Sequence, residues 1–333
     1  MDSVQPGTRP AVPRAGQARR SCGGRSLIWS DMSAVPALLR SAPNLPAGRG
    51  WAYEPKLDGF RGLLSCERLI SRSTKPLGDF FPELVEVSRL LPPGTIVDGE
   101  IVQPNSTGIS FAALQARLIR EGRGAAFIAF DLLVLYGTDL RDGPLSERRR
   151  TLEALVRRLD RSELQLVPQT TDRAAALRWL TEFSGDSGVE GVVAKRLTAP
   201  YPRNGRRDWI KVKRTITFDA FVRGISGDPA RPRLVLGVYD EMGLPWTLGM
   251  THPLGSDAAA VLAPLVEAAQ PAERLLPSRF QEMLVDWLRL PEVLVAEVSC
   301  HHIDGGRRLR QAAKFIRWRP DRQPTSCRLL PTL

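Results

Sequence analysis

The chain has 333 residues, 43% of them hydrophobic and 25% charged, with a formal net charge of +11. That apolar share fills a sizeable core, and the length predicts about two domains. No apolar run is long enough to span a bilayer, so a membrane-spanning role is not expected. A basic surplus draws polyanions, nucleic acid above all. A solvated basic surface accounts for the charge alone equally well.

Residues 1–30 are rich in Pro, Gly, Ser and Arg and predict a disordered basic tail. They lack the apolar core of a signal peptide, so export is not indicated and a cytoplasmic protein is expected. Met32 opens a sequence with the texture of an ordered start. The tail reads as the product of an upstream start or as a short basic arm. The cysteines Cys22, Cys66, Cys300 and Cys327 are scattered without a C-x-x-C pair, which predicts reduced thiols. Cys300-His301-His302 has no second pair at finger spacing and predicts no zinc site.

Strand-like runs then alternate with helical patterns. Strands are predicted at Trp51–Glu54, Gly62–Ser65, Thr95–Val102, Ala126–Leu133, Gly191–Lys195 and Trp209–Lys213. Helices are predicted at Pro82–Leu91, Ser110–Arg120, Ser146–Leu159 and Asp172–Phe183. After Lys213 come short strands at Phe218–Ile225, Leu234–Tyr239, Trp246–Met250, Val293–Val298 and Ala313–Arg317, with a helical patch over Asp257–Ala268. Several short strands and one helix suit a Greek-key barrel such as an OB-fold. The expected division is a tail over 1–30, a first domain over 31–215 and a barrel over 216–333.

Chemistry concentrates in a few runs. Lys56-Leu57-Asp58-Gly59-Phe60-Arg61 places a lysine at a strand end, a glycine for a sharp turn, then a cation able to fork a phosphate or ribose oxygen. A lysine is ordinarily protonated at neutral pH, so as a nucleophile it needs burial or neighbouring cations. A surface turn with an ion pair explains the run equally well when it is taken alone. No Walker-type phosphate loop occurs, so a bound nucleotide must be held in another way. In Trp209-Ile210-Lys211-Val212-Lys213 the two lysines share one strand face, as an anion site or as protection of a sheet edge. Asp98-Gly99-Glu100 and Glu190-Gly191-Val192-Val193 put carboxylates on strands, where a converging pair suits a hard cation. Phe130 and Asp131 point to opposite faces, so only one is core; an aromatic pocket wall stacks on a purine. Arg317-Trp318-Arg319-Pro320-Asp321-Arg322 gathers cations on an exposed turn.

Each run has a plain structural explanation, and the order of the set is the specific signal. Tyr53 to Arg61, Ser71-Arg72, Asp98-Gly99-Glu100, Phe130 to Leu133, Glu190 to Val193, Trp209 to Lys213 and Arg317 to Arg322 together resemble the covalent nucleotidyltransferases. The resemblance is nearest to the minimal ATP-dependent DNA ligases of bacteria and runs from Met32 to Arg322. It implies an α+β chain: an adenylation domain of antiparallel sheets and helices, followed by a small OB-fold barrel.

The resemblance also implies roles. Lys56 takes AMP from ATP, and Glu54 lies at the adenine edge. Leu57 belongs to the nucleotide pocket, Arg61 and Glu100 hold the ribose region, and Phe130 stacks on adenine. Glu100 and Glu190 serve Mg²⁺ or Mn²⁺. Lys211 and Lys213 neutralise the α-phosphate, and Arg72 touches the nicked strand. Arg319, Asp321 and Arg322 close over ATP. The implied partner is nicked double-stranded DNA, with repair or end-joining proteins beside it, no membrane, and a monomer. Arg322 departs from the family's commoner lysine. No room for a DNA-clasping domain precedes Met32, so a steep salt dependence is expected. The nucleophile motif by itself does not separate a DNA ligase from an RNA ligase or a capping guanylyltransferase. A non-catalytic basic OB module stands as the reading from another class.

Overall fold

The structure, a computed structural model, describes residues 37–106, 108–182, 187–202, 208–272, 285–304 and 307–328. The predicted tail over 1–30 lies outside them. The main elements of the first part, in chain order, are β1 (Leu39–Ser41), β2 (Trp51–Leu57), β3 (Phe60–Ser65), β4 (Arg68–Ser71), α1 (Pro82–Ser88) and β5 (Ile96–Val102). Next come α2 (Phe111–Ala116), β6 (Ala126–Leu135), α3 (Leu145–Leu159), β7 (Leu164–Leu166), α4 (Arg173–Glu182), β8 (Val189–Arg196) and β9 (Trp209–Lys213).

These strands make two sheets. One has the order β1–β9–β8–β2, the other β7–β6–β5–β3–β4. Neighbours are antiparallel except β1 with β9 and β7 with β6. The sheets face each other through Leu63, Ile96, Val134, Val193 and Trp209. Leu145, Leu152, Leu155 and Val156 give α3 one buried stripe at helical spacing. Leu152, Leu155 and Val156 of that stripe, with Leu84 and Val87 of α1, cover the outer face of the second sheet. Ala176 of α4 covers the outer face of the first. The nucleophile run thus sits where two sheets meet, on backbone pinned from both sides.

A third sheet follows from β10 (Ile216–Ser226), β11 (Arg233–Tyr239) and β12 (Pro245–Met250). After α5 (Ser256–Ala260) and α6 (Ala263–Val266) it adds β13 (Trp287–Arg289), β14 (Val295–Cys300) and β15 (Lys314–Trp318). Strand β10 is irregular between Val222 and Gly224, so its first half pairs with β14 and its end with β13. A parallel bridge from Thr251 to Ala313 draws β12 towards β15. The sheet curls around Phe221, Leu236, Leu248 and Ala296 as a partly closed barrel.

Several expectations shift. Strand β2 runs on to Leu57, so Lys56 lies inside a strand and not at its end. Gly59 does sit in the tight turn after β2, but its need for glycine is space: a Cβ there would strike the carbonyl oxygen of Ile101. The helix expected to reach Arg120 closes after one capped turn and a half, with Ser110 Oγ accepting from the Ala113 amide at 3.1 Å. The patch over Asp257–Ala268 splits in two, because Pro264 lacks an amide and starts a new helix. The strand expected from Val293 starts at Val295. Cys66 carries a disulfide, against the expectation of reduced thiols, while Cys300 and Cys327 are free and buried.

Candidate active site

Lys56 is flanked by β8, and β8 by β9. Gly191 pairs with Lys56 on one side and with Lys213 on the other. The register slips between Val189 and Gly191, leaving Glu190 as the extra residue of a β-bulge. Bulges re-aim a side chain that alternation would send elsewhere. Here the Glu190 carboxylate falls between two lysines: its Oε2 lies 2.7 Å from Lys56 Nζ and 3.0 Å from Lys213 Nζ. Burial works to raise this carboxyl, but Lys56 and Lys213 outweigh it and hold it down at about 2.

Beside Lys56 opens a narrow slot of about 70 Å³ whose walls include Glu54, Leu57, Arg61, Glu100, Phe130 and Lys195. Phe130 is there because of a second bulge. Asp98 pairs with Asp131 and Gly99 with Ala129, so Phe130 is left over on β6. Its ring meets Trp209 edge-on at 5.9 Å, with Lys195 Nζ 4.7 Å from its centroid. Asp131, on the opposite face, is the core residue of the pair: Arg148 grips it with Nε at 2.7 Å and Nη2 at 2.9 Å.

Glu54 is buried, with Lys195 Nζ 2.6 Å from Oε2 and Gln169 Nε2 donating to Oε1 at 2.8 Å. Arg61 is saturated. It donates to both oxygens of Asp98 at 3.0 and 2.6 Å, to the Tyr201 hydroxyl at 3.0 Å and to the Ala37 carbonyl. The Tyr201 hydroxyl, pushed well up by burial and then by Asp98, donates to Asp98 at 2.6 Å. Glu100 sits opposite Arg61 across the strand pair. Burial pushes its carboxyl up to about 7, against the pull of Lys56 and Arg61.

The remaining residues spread over two further cavities. Arg72 and Lys211 line an open groove of about 950 Å³ with Arg40, Lys56, Arg61 and Glu100. Lys213 lines a different cleft of about 500 Å³, on the seam with the barrel. The two lysines share a strand face, as expected, but face different spaces. Arg319, Asp321 and Arg322 line none of these cavities. Arg319 donates to Asp321 at 2.8 and 2.7 Å and to Asp219 at 3.0 Å, and Arg322 lies 3.4 Å from Asp219.

The barrel residue that reaches the nucleophile run is Arg310. Its guanidinium bonds the Asp58 carboxylate and lies 4.2 Å from the centroid of the Phe111 ring. No periodicity or motif signals it. Lys195 was missed as well, although its place at the close of the apolar run after Glu190, on the same strand face as Val193, was a signal that could have found it. Among the described residues no group of three or more His, Cys, Asp and Glu is placed to hold a metal.

Residues 36–213 match the family model described as the ATP dependent DNA ligase domain. DNA ligase C2 of Mycolicibacterium smegmatis is 38% identical over 88% of this chain and 92% of its own length. DNA ligase C of Mycobacterium tuberculosis is 35% identical over 88% and 91%. The multifunctional non-homologous end joining protein LigD of Pseudomonas aeruginosa is 32% identical over 91% of this chain and 37% of its own length. Among solved structures, a Lig E DNA ligase superposes with a TM-score of 0.55 at 16% identity, covering 85% of this chain and 99% of that one; this likeness speaks for the fold alone.

Proposed function

This chain belongs to the ATP-dependent DNA ligases, and from that premise we propose that it seals nicks bearing a 5′-phosphate and a 3′-hydroxyl, through a lysyl-AMP on Lys56. One observation carries the reading: Lys56 and Lys213 converge on the bulged Glu190 beside a slot walled by Phe130 and Glu54.

In the first step Lys56 Nζ leaves Glu190, sheds a proton to solvent and attacks the α-phosphorus. A nitrogen–phosphorus bond forms. The bond from that phosphorus to the bridging oxygen breaks, and pyrophosphate departs with the electron pair. Lys213 and Lys211 offset charge growing on the α-phosphate, the task fixed cations do best in a site poor in water. The 5′-phosphate of the nick then takes AMP from Lys56, and the 3′-hydroxyl displaces AMP to join the strand.

Phe130 supplies the aromatic face for adenine, Glu54 its polar edge, and Leu57 an apolar wall. A slot of about 70 Å³ is far below the roughly 300–1,000 Å³ of most ligand pockets. Adenine therefore enters by parting the contacts of Lys195 with the Phe130 and Trp209 rings, at 4.7 and 4.1 Å. Arg61 is held by Asp98 as a rigid wall of the ribose region. Arg72 faces the open groove and takes the nicked strand there.

Glu100 and Glu190 fit a hard divalent cation, Mg²⁺ or Mn²⁺. Glu100 lines the pocket with a carboxyl whose burial its cationic neighbours Lys56 and Arg61 do not fully offset. Such ions commonly use one or two carboxylates and complete their shell with water and substrate phosphates. When bound, the ion offsets charge on the phosphates.

Residues 31–215 serve as the adenylation domain and 216–333 as the OB-fold. Arg319, Asp321 and Arg322 meet ATP in a barrel orientation other than this one, because here they face Asp219. The bacterial relatives, among them one named for end joining, support work in repair or end joining; we add to that a monomer in a bacterial cytoplasm, at the nucleoid, with partner proteins.

The test is incubation with radiolabelled ATP or GTP, a denaturing gel, and then sealing of labelled nicks in all-DNA and mixed DNA–RNA duplexes. An adduct from ATP and a sealed DNA nick are expected. Label from GTP alone would sink the reading.

A further inference from the structure

Glu54, at the polar edge of the slot, is held on both carboxylate oxygens. Lys195, 1% exposed, takes Oε2 at 2.6 Å, and Gln169 donates from Nε2 to Oε1 at 2.8 Å. The two holders differ in permanence. Lys195 Nζ also lies 4.7 and 4.1 Å from the Phe130 and Trp209 rings, the contacts that part when a base enters, so its grip on Glu54 changes with occupancy. Gln169 is not itself among the walls of the slot and stays where it is. Its backbone is pinned on both sides. The Val167 amide donates to the Ala129 carbonyl at 2.9 Å, and Arg149 Nη2 donates to the Val167 carbonyl at 2.9 Å. Thr170 exchanges two hydrogen bonds with Tyr53, at 2.8 and 3.0 Å, in an antiparallel bridge. That bridge sets Gln169 beside Glu54, 115 residues away in the chain.

A carboxylate only accepts hydrogen bonds, and each of its oxygens has two lone pairs, so both keep one after these contacts. The 6-amino group of adenine donates and matches such an edge. The 6-oxo group of guanine or hypoxanthine accepts, and would meet it acceptor to acceptor. Discrimination of this kind requires the carboxylate to stay in place while Lys195 shifts, and Gln169 is the contact that keeps it there.

We propose that Gln169 is a positioning residue for base selection: its amide holds Glu54 as a fixed acceptor, so that the slot takes 6-aminopurine nucleotides and refuses 6-oxopurines. The proposal rests on the reading of Glu54 as the polar edge of the adenine site. Gln169 touches no reacting atom and acts only through Glu54.

The test compares the full chain with Gln169→Met, which keeps the length and loses the amide, and Gln169→Glu, which replaces the donor with a second carboxyl. Each is offered ATP and inosine triphosphate, which differ only in the 6-amino against the 6-oxo group and the N1 proton that goes with it. KM and maximal rate of adduct formation are read, together with equilibrium binding of each nucleotide to chelator-treated protein. Wild type prefers ATP. In Gln169→Met that preference falls on the order of ten-fold, the scale of one hydrogen bond to a charged group. The loss comes through a raised KM for ATP, while the maximal rate stays within about two-fold, as for an interaction that serves binding. In Gln169→Glu the proton shared by two adjacent carboxyls offers an O–H to a 6-oxo group, and the preference falls as well. A preference within about two-fold of wild type in either variant overturns the proposal, since additivity error covers that much. So does an equal loss with both nucleotides, which marks a merely structural residue. If wild type binds ATP ahead of inosine triphosphate but forms no adduct, the lysyl-AMP reading fails instead, and the binding ratios still decide the role of Gln169.

Discussion

Lys56 and Lys213 hold the same oxygen of Glu190, at 2.7 and 3.0 Å. With both lysines in place this carboxyl is drawn down to about 2 and stays ionised throughout the working range of pH. When Lys56 turns towards phosphorus, Lys213 remains to neutralise the carboxylate it leaves. Glu190 is thus a parking place for the nucleophile that does not become an unpaired buried charge on departure.

Glu190→Gln keeps the shape and removes the charge. Both lysines then lose their anchor, and one ligand of the bound cation is weakened. Single-turnover labelling with ATP is expected to slow about a hundred-fold, the scale of losing one well-placed electrostatic group. Labelling within a few-fold of wild type would remove Glu190 from the site.

Lys56→Arg tests the nucleophile more sharply than alanine. The guanidinium keeps the cation beside Glu190 but does not give up its proton in proteins. No covalent AMP is expected on a denaturing gel, while the melting temperature stays close to wild type. A retained adduct would assign the attack to another side chain.

How much of this was legible beforehand depends on whether strand alternation held. Along β9 it holds, so Trp209, Lys211 and Lys213 were placed on one face from the sequence. At Glu190 and Phe130 it does not. Both are extra residues in bulges, and a bulge is set by the register of the partner strand, which no local pattern encodes. Their residue types gave them away, not their positions. Asp131 was left open against Phe130 until Arg148, 17 residues on, was seen to bury with it. Arg310 was passed over for the same reason: its meaning lies in Asp58, 252 residues earlier. The saturation of Arg61 by Asp98 was equally hidden, because β5 had to be laid beside β3 first.

Lys213→Ala is expected to slow adduct formation about a hundred-fold and leave the fold intact. The side chain is part-exposed at 20%, and its strand keeps its backbone pairing with β8. Glu190 then leans on Lys56 alone, which makes release of the nucleophile harder as well. Stopped-time labelling beside a thermal melt checks both halves. Near-normal rates would contradict the assigned role.

Glu100 links the site to stability. Burial lifts its carboxyl from 4.5 to about 7, so the folded chain keeps a proton that the unfolded chain has already released. The stabilising effect is complete below pH 4.5 and is lost as pH rises through 7. By pH 8 the metal-free protein gives up at most about 3 kcal/mol, less wherever water screens the half-buried group. Glu190 acts in the opposite sense, and its contribution fades only as pH falls towards 2, so the two windows do not overlap. Glu100→Gln cannot ionise. In chelator-treated protein its denaturant midpoint should stay flat from pH 5 to 8 while that of wild type declines, so that the variant is the more stable at pH 8. The same variant should label poorly with ATP, since the carboxylate that costs stability is the one available to the cation. Parallel wild-type and variant profiles would show that Glu100 is not the group being forced to ionise.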